Sequence, residues 1–162
     1  MAWLIGIKVV SVVGSGLIAG AFFAFSAFVM SALARLPAPQ GIAAMQSINS
    51  TVINPWFLGV FVGTAIVSLV LCLLSWTQVG PAVSLPVLIG GALYVLGTFG
   101  VTIACNVPLN EALAVVDPNS PEGAALWTRY VAQWTLWNHL RTAASLAASL
   151  AYLLSLLPRQ TP

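Results

Sequence analysis

Charge is what this sequence has least of. Five Lys and Arg, three Asp and Glu and a single His are spread over 162 residues, so 5% of positions are charged. A soluble domain carries about 25%. In their place 60% of residues are hydrophobic, and the mean hydropathy is +1.01. A soluble chain this short has too much surface for its volume to hide so many apolar side chains. A soluble enzyme is therefore excluded, and so is a disordered segment. The net charge of +2 excludes a nucleic-acid partner, which needs a basic patch. Cysteine is equally scarce. Cys72 and Cys105 form no CxxC pair and no disulfide framework, and they read as small apolar side chains. No His, Cys and carboxylate cluster has metal-ligand spacing, so no metal is expected. A glycine-rich phosphate loop, a dinucleotide fingerprint and a serine elbow are all missing, so nucleotide cofactors have no visible home.

What is present is a set of long apolar runs. A helix needs about 20 such residues to cross the hydrocarbon. Residues 9–34 carry no charge between Lys8 and Arg35, and the next charge after Arg35 is Glu111. Pro37, Pro39, Pro55, Gly80, Pro81 and Pro86 divide that neutral stretch. The expected fold is all-α: a single domain over residues 1–162, forming a four-transmembrane-helix bundle with spans at about 5–33, 55–76, 84–105 and 137–157. Short amphipathic helices are expected in the 1–2 and 3–4 connections, and a tight turn over 75–82. The first run is too long for a signal peptide and lacks a clean cleavage site. Four spans place both termini on one side. Lys8 and Arg159 against Arg35, Arg129 and Arg141 do not decide which side. The two longer connections share the other face, where binding or chemistry is expected.

Small residues recur four apart at Gly16–Gly20–Ala24, Gly59–Gly63 and Ala143–Ala147–Ala151, the spacing that lets helices touch in lipid. Packing within the bundle is the expected use, and a homo-oligomer contact is the alternative. Polar stripes run through the later spans. Tyr94, Thr98, Thr102 and Asn106 lie four apart on one helix face,. The row continues into Asn106-Val-Pro108-Leu-Asn110, where Pro108 is expected to end or kink the helix. The two asparagines serve either a site or the capping of helix ends. Trp134, Asn138, Arg141, Ser145, Ser149 and Tyr152 share a face of the last span. Arg141 is the most informative residue. An intramembrane arginine faces the bundle interior and has a partner, unless it snorkels to the headgroups. His139 sits about 100° round from Asn138 and so need not face the same side.

At these residues the chain resembles the anthrone oxygenase-like membrane proteins. The resemblance rests on Gly14-Ser-Gly16-Leu-Ile-Ala-Gly20-Ala-Phe-Phe-Ala-Phe-Ser26, the segment from Asn49 to Asn54-Pro55, Asn106-Val-Pro108-Leu-Asn110, and Trp134-x-x-Trp137-Asn138-His139-x-Arg141. It implies oxidation of polyketide anthrones to anthraquinones by molecular oxygen without a cofactor, as in fungal members. The family's recurrent polar positions carry over to Asn106, Asn110, Trp134, Asn138 and Arg141.

The expected site follows from that chemistry. An anthrone loses a proton from the carbon opposite its carbonyl, and the resulting anion reduces oxygen directly. Arg141 with Asn106 and Asn138 is expected to hold the oxyanion. Trp134, Phe22 and Phe25 are expected to stack on the rings, with Asn110, Asn54, Tyr94, Thr98 and Thr102 completing the substrate contacts. His139 and Glu111 are the candidate bases. The partners expected are a hydrophobic aromatic small molecule, molecular oxygen and the bilayer of a bacterial inner membrane, crossed several times. A non-catalytic binder or carrier of a quinone-like or lipid ligand is the second reading, and a structural membrane protein the third.

Overall fold

A computed structural model describes residues 2–78 and 81–157. The middle of the expected 75–82 turn and the chain beyond 157 lie outside the described residues. Five helices, and no strand among those residues, make up the chain. The first is α-helical over Ala2–Ala24, π-helical over Phe25–Val29 and α-helical again over Met30–Ala34. The second, Ala38–Thr51, follows Pro37 and packs against the fifth helix and the ends of the first and fourth. The third is Pro55–Gln78. The fourth begins as Pro81–Ala92 and runs on through π-helical Leu93–Gly100 and Thr102–Asn106 into Val107–Ala114. The fifth is Pro121–Leu154.

Local chemistry explains the starts. Asn54 Oδ1 accepts from the main-chain N–H groups of Trp56 and Phe57 at 3.1 and 3.0 Å, capping the third helix ahead of Pro55,. Ser120 Oγ accepts from Gly123 N at 2.9 Å and caps the fifth, whose first turn carries Glu122,. Three helices, within Trp3–Ala34, Pro55–Ser75 and Leu85–Ala114, are long and apolar enough to cross a membrane. Their outward residues include Leu17, Phe23, Ile66, Leu73 and Leu96, all more than half exposed, as a lipid-facing surface requires.

Pro108 does not end the fourth helix. Val107 N–H reaches back to the Thr102 carbonyl, five residues away, and the widened turn accommodates the proline ring. A separate amphipathic helix in the last connection is correspondingly absent. Residues 107–114 continue the fourth helix, and 121 already begins the fifth.

The small-residue rows are used differently from the expectation. Nothing lies within 4 Å of where a Cβ would stand at Gly20, Gly59 or Gly63. Gly16 meets Ser149 Oγ at 3.5 Å, and the tighter approaches between helices include Gly14 against Thr64, Gly91 against Cys72 and Gly97, 2.8 Å from the Ala144 Cβ. Ala143 is exposed, while Ala144, Ala148 and Ala151 are buried. Periodicity of four marked small residues without telling which side of the helix faces protein.

Two apolar clusters fill the interior. One holds Ile18, Phe22, Phe61, Leu71, Tyr94 and Tyr152. The other holds Met30, Ile42, Met45, Leu113, Trp127, Tyr130 and Trp134. Lys8 Nζ donates to the Ser155 carbonyl at 3.2 Å, and Ser149 Oγ to that of Val12 at 3.0 Å. The first and fifth helices are thereby tied antiparallel.

Candidate functional site

Arg141 lies at the seam of the two clusters. Its guanidinium carbon stands 4.0 Å from the centroid of Phe22 and 4.7 Å from that of Trp134. The residue is 5% exposed, and no carboxylate pairs with it among the described residues. Two ring faces therefore replace the usual counter-ion, each contributing about 0.5–2 kcal/mol. Arg141 Nε donates to Asn138 Oδ1 at 3.0 Å, and Nη1 to Thr102 Oγ1 at 3.4 Å. Asn138 is itself held by Nδ2, which donates to the Phe22 carbonyl and to Ser26 Oγ, both at 2.7 Å. Thr102 Oγ1 donates to the Thr98 carbonyl at 2.7 Å, and Thr98 meets Ser145 at 3.0 Å. Ser145 Oγ closes the group on the Arg141 carbonyl at 2.6 Å.

The guanidinium faces a cavity of about 630 Å³. It forms because the third helix packs along the first half of the fourth and then parts from it. The second helix closes the wedge. Phe22, Phe25, Phe57, Phe61, Phe99 and Trp134 line it, and Phe25 tilts onto Trp134 with centroids 5.6 Å apart. Gln46 and Asn49 of the second helix and Asn110 and Glu111 near the end of the fourth line it too. Tyr130 Oη and Trp134 Nε1 both donate to Asn110 Oδ1 at 2.8 Å. Burial raises the Tyr130 phenol above its ordinary range, with Asn49 and Arg141 pulling the other way, and it stays a donor. Of the acids, Asp117 and Glu122 sit at the start of the fifth helix, and Glu111 alone lines the cavity. Among the described residues no three His, Cys, Asp or Glu side chains group as metal ligands.

The expected site residues thus divide. Arg141, Trp134, Phe22, Phe25, Thr102 and Asn110 meet at the cavity. Asn138 lies behind Arg141, fully buried, with every amide group committed to protein. Asn106 Nδ2 donates to the Trp134 carbonyl at 3.2 Å, and its Oδ1 is buried without a partner. A carbonyl cannot donate, so neither amide is reversed; Asn138 has both N–H groups committed, and Asn106 keeps one but is fully buried and outside the cavity lining,. Tyr94 donates to the Phe61 carbonyl at 3.1 Å, and with Thr98 it sits in the core away from the cavity. Asn54 is a helix cap. His139 is exposed and lines a separate groove with Ser26, Met30 and Thr135. It is on the wrong side of the fifth helix to act at Arg141.

Sequence reasoning passed over Tyr130, Gln46, Phe57, Phe61 and Phe99. Tyr130 had a signal, since Trp127, Tyr130 and Trp134 follow helical spacing and their rings stack in series at 5.6 and 6.3 Å. The phenylalanines had none, because lipid-facing and cavity-facing aromatics read alike in an apolar run.

No curated protein and no solved structure matches the chain. Residues 54–151, which hold Asn110, Trp134 and Arg141, match the family described as Anthrone oxygenase. That is more than half of the sequence, and the protein belongs to the anthrone oxygenase family.

Proposed function

We propose that the protein is a four-span bacterial inner-membrane oxygenase that converts an ionisable fused-ring polyphenol, anthrone-like at its reacting carbon, to the quinone. The first, third, fourth and fifth helices cross the bilayer, the second lies at its surface, and both termini share one side. The observation that carries the reading is Arg141, a buried cation clamped between two aromatic rings and aimed into an aromatic-lined cavity.

The chemistry needs few groups. A ring methylene beside two aryl rings is acidic because its anion places charge on the carbonyl oxygen across the ring. Arg141 stabilises that oxygen, and the low dielectric around it strengthens the contact. Glu111 accepts the carbon-bound proton. The anion passes an electron to oxygen, and the radical pair collapses into a carbon–oxygen bond, giving a peroxide. Loss of the second hydrogen with the distal oxygen forms water and a new carbonyl. The carbon gives up four electrons and dioxygen takes four, so substrate carbon is the only reductant required. Asn138 and Thr102 act as positioning residues, holding the guanidinium in the plane between Phe22 and Trp134.

The test is oxygen uptake and quinone formation by the detergent-purified protein with anthrone. Arg141→Met is expected to lower kcat about 10²–10³-fold, the usual worth of an oxyanion donor. Glu111→Gln should lower kcat while leaving the affinity for the anionic product unchanged. Binding of anthrone without any oxygen uptake by the wild type would replace the oxygenase with a quinone-type binder.

A further inference from the structure

The amides that line the cavity beyond Trp134 are fixed in orientation by their hydrogen bonds. An indole N–H only donates. Trp134 Nε1 therefore meets the oxygen of Asn110, and the Tyr130 hydroxyl at the same atom must also donate. The Tyr130 oxygen is then left to accept, and Asn49 Nδ2 lies 3.4 Å away. Gln46 is oriented independently. Its Nε2 donates to the main-chain carbonyls of Leu113 and Val116 at 2.8 and 3.1 Å, neither of which can face an amide oxygen. Two acceptors, Gln46 Oε1 and Asn49 Oδ1, remain on residues that line the cavity, and Asn110, its oxygen held, keeps its Nδ2 donors beside them,. Neither acceptor is sealed in protein, in contrast to Asn106 Oδ1. Glu111, an exposed residue, lines the same cavity.

Asn110 follows Thr102 by eight residues on one continuous helix, and Trp134 lies between the two ends, its ring 4.7 Å from the Arg141 guanidinium carbon and its Nε1 2.8 Å from Asn110 Oδ1. Arg141 and Thr102 mark one end, and Gln46, Asn49 and Glu111 the other. A cation at one end attracts an anionic oxygen. At the other, acceptors stand beside amide donors and suit a neutral O–H, which donates and accepts at once, whereas an ether or a carbonyl leaves the two amide oxygens unpaired.

We propose that the cavity selects a fused-ring phenol with a second oxygen, bound as a monoanion with its ionised oxygen at Arg141 and a neutral hydroxyl beside Asn110 that shares its one proton between Gln46 Oε1 and Asn49 Oδ1. The proposal rests on the reading of Arg141 as the anion site, and it adds the orientation of the substrate and the group that specifies it.

Two unreactive probes of equal length test it: 2,6-dihydroxyanthraquinone and 2-hydroxy-6-methoxyanthraquinone. Both present an ionisable hydroxyl, and only the first has a donor at the far end. Their Kd values are measured by tryptophan quenching of the full-length protein in detergent. The wild type is expected to prefer the dihydroxy probe about tenfold or more, the worth of one hydrogen bond made in a largely apolar site. Gln46→Met and, separately, Asn49→Leu should reduce that ratio toward unity and leave the methoxy probe's Kd within about threefold. Comparing ratios between variants cancels partition into detergent. Arg141→Met should weaken both probes alike. A wild-type ratio near unity, with binding still dependent on Arg141, overturns the hydroxyl subsite and leaves the anion site standing. Binding of neither probe by the wild type overturns both.

Discussion

Arg141 shows how one residue can cost stability and still be held in place. Moving a cation out of water costs several kcal/mol even after relaxation, and no carboxylate repays it among the described residues. Phe22 and Trp134 return part of that cost through their ring faces,. Replacing Arg141 with Met leaves Asn138 Oδ1 without its donor, a penalty of about 1–3 kcal/mol. The desolvation relief is at least as large, and the flexible thioether packs well against rings. Thermal unfolding of Arg141→Met should therefore show a Tm equal to or above the wild type, while turnover collapses. A purely structural arginine would give the opposite result, with a large fall in Tm. At this scale Arg141 and Trp134 were legible in the sequence, because a lone charge and an indole stand out in an apolar run. The roles of Asn106 and Asn138 were not. Whether an amide N–H is free depends on which carbonyl it meets, and those carbonyls come from other helices.

At the scale of the element, the fourth helix depends on its wide turns. Residues four apart drift by about 40° per step around an α-helix. Over Tyr94, Thr98 and Asn106 that drift would carry the last residue away from the bundle interior. The π-helical stretches Leu93–Gly100 and Thr102–Asn106 hold more residues per turn and counter it,. All three side chains are fully buried as a result. A period-of-four pattern reveals the face, but nothing in it announces a π turn. The third helix has a simpler dependence. Asn54 was expected to contact substrate and instead caps that helix. Asn54→Ala should cost about 1 kcal/mol, or about 2–4 °C in Tm for a chain of this size, with kcat unchanged. A selective loss of kcat without a change in Tm would return Asn54 to the site.

Over the whole molecule, helix spacing decides whether the cavity exists. Gly97 brings the fourth and fifth helices together at Ala144, one residue from the Thr98–Ser145 bond. A larger side chain there forces the helices apart. Gly97→Leu should destabilise by about 1–3 kcal/mol and lower ligand affinity. Gly59→Leu points into open space and should change Tm by no more than about 0.5 kcal/mol equivalent. Equal effects at both positions would show that Gly59 also packs against protein, as in an oligomer.

Read alone, the amino-acid order was enough for the helical class, the apolar runs that suit a membrane, the family and the identity of the buried cation. Those follow from composition, run length and rare residues, which need no partner to be read. The packed fold was needed to show which glycines touch, that His139 faces away from Arg141, that Gln46 lines the cavity and that Tyr130 holds Asn110 there. It also decided which amide atoms remain free. Each of these is a relation between helices, set by the rotation and divergence of neighbours that share no stretch of sequence.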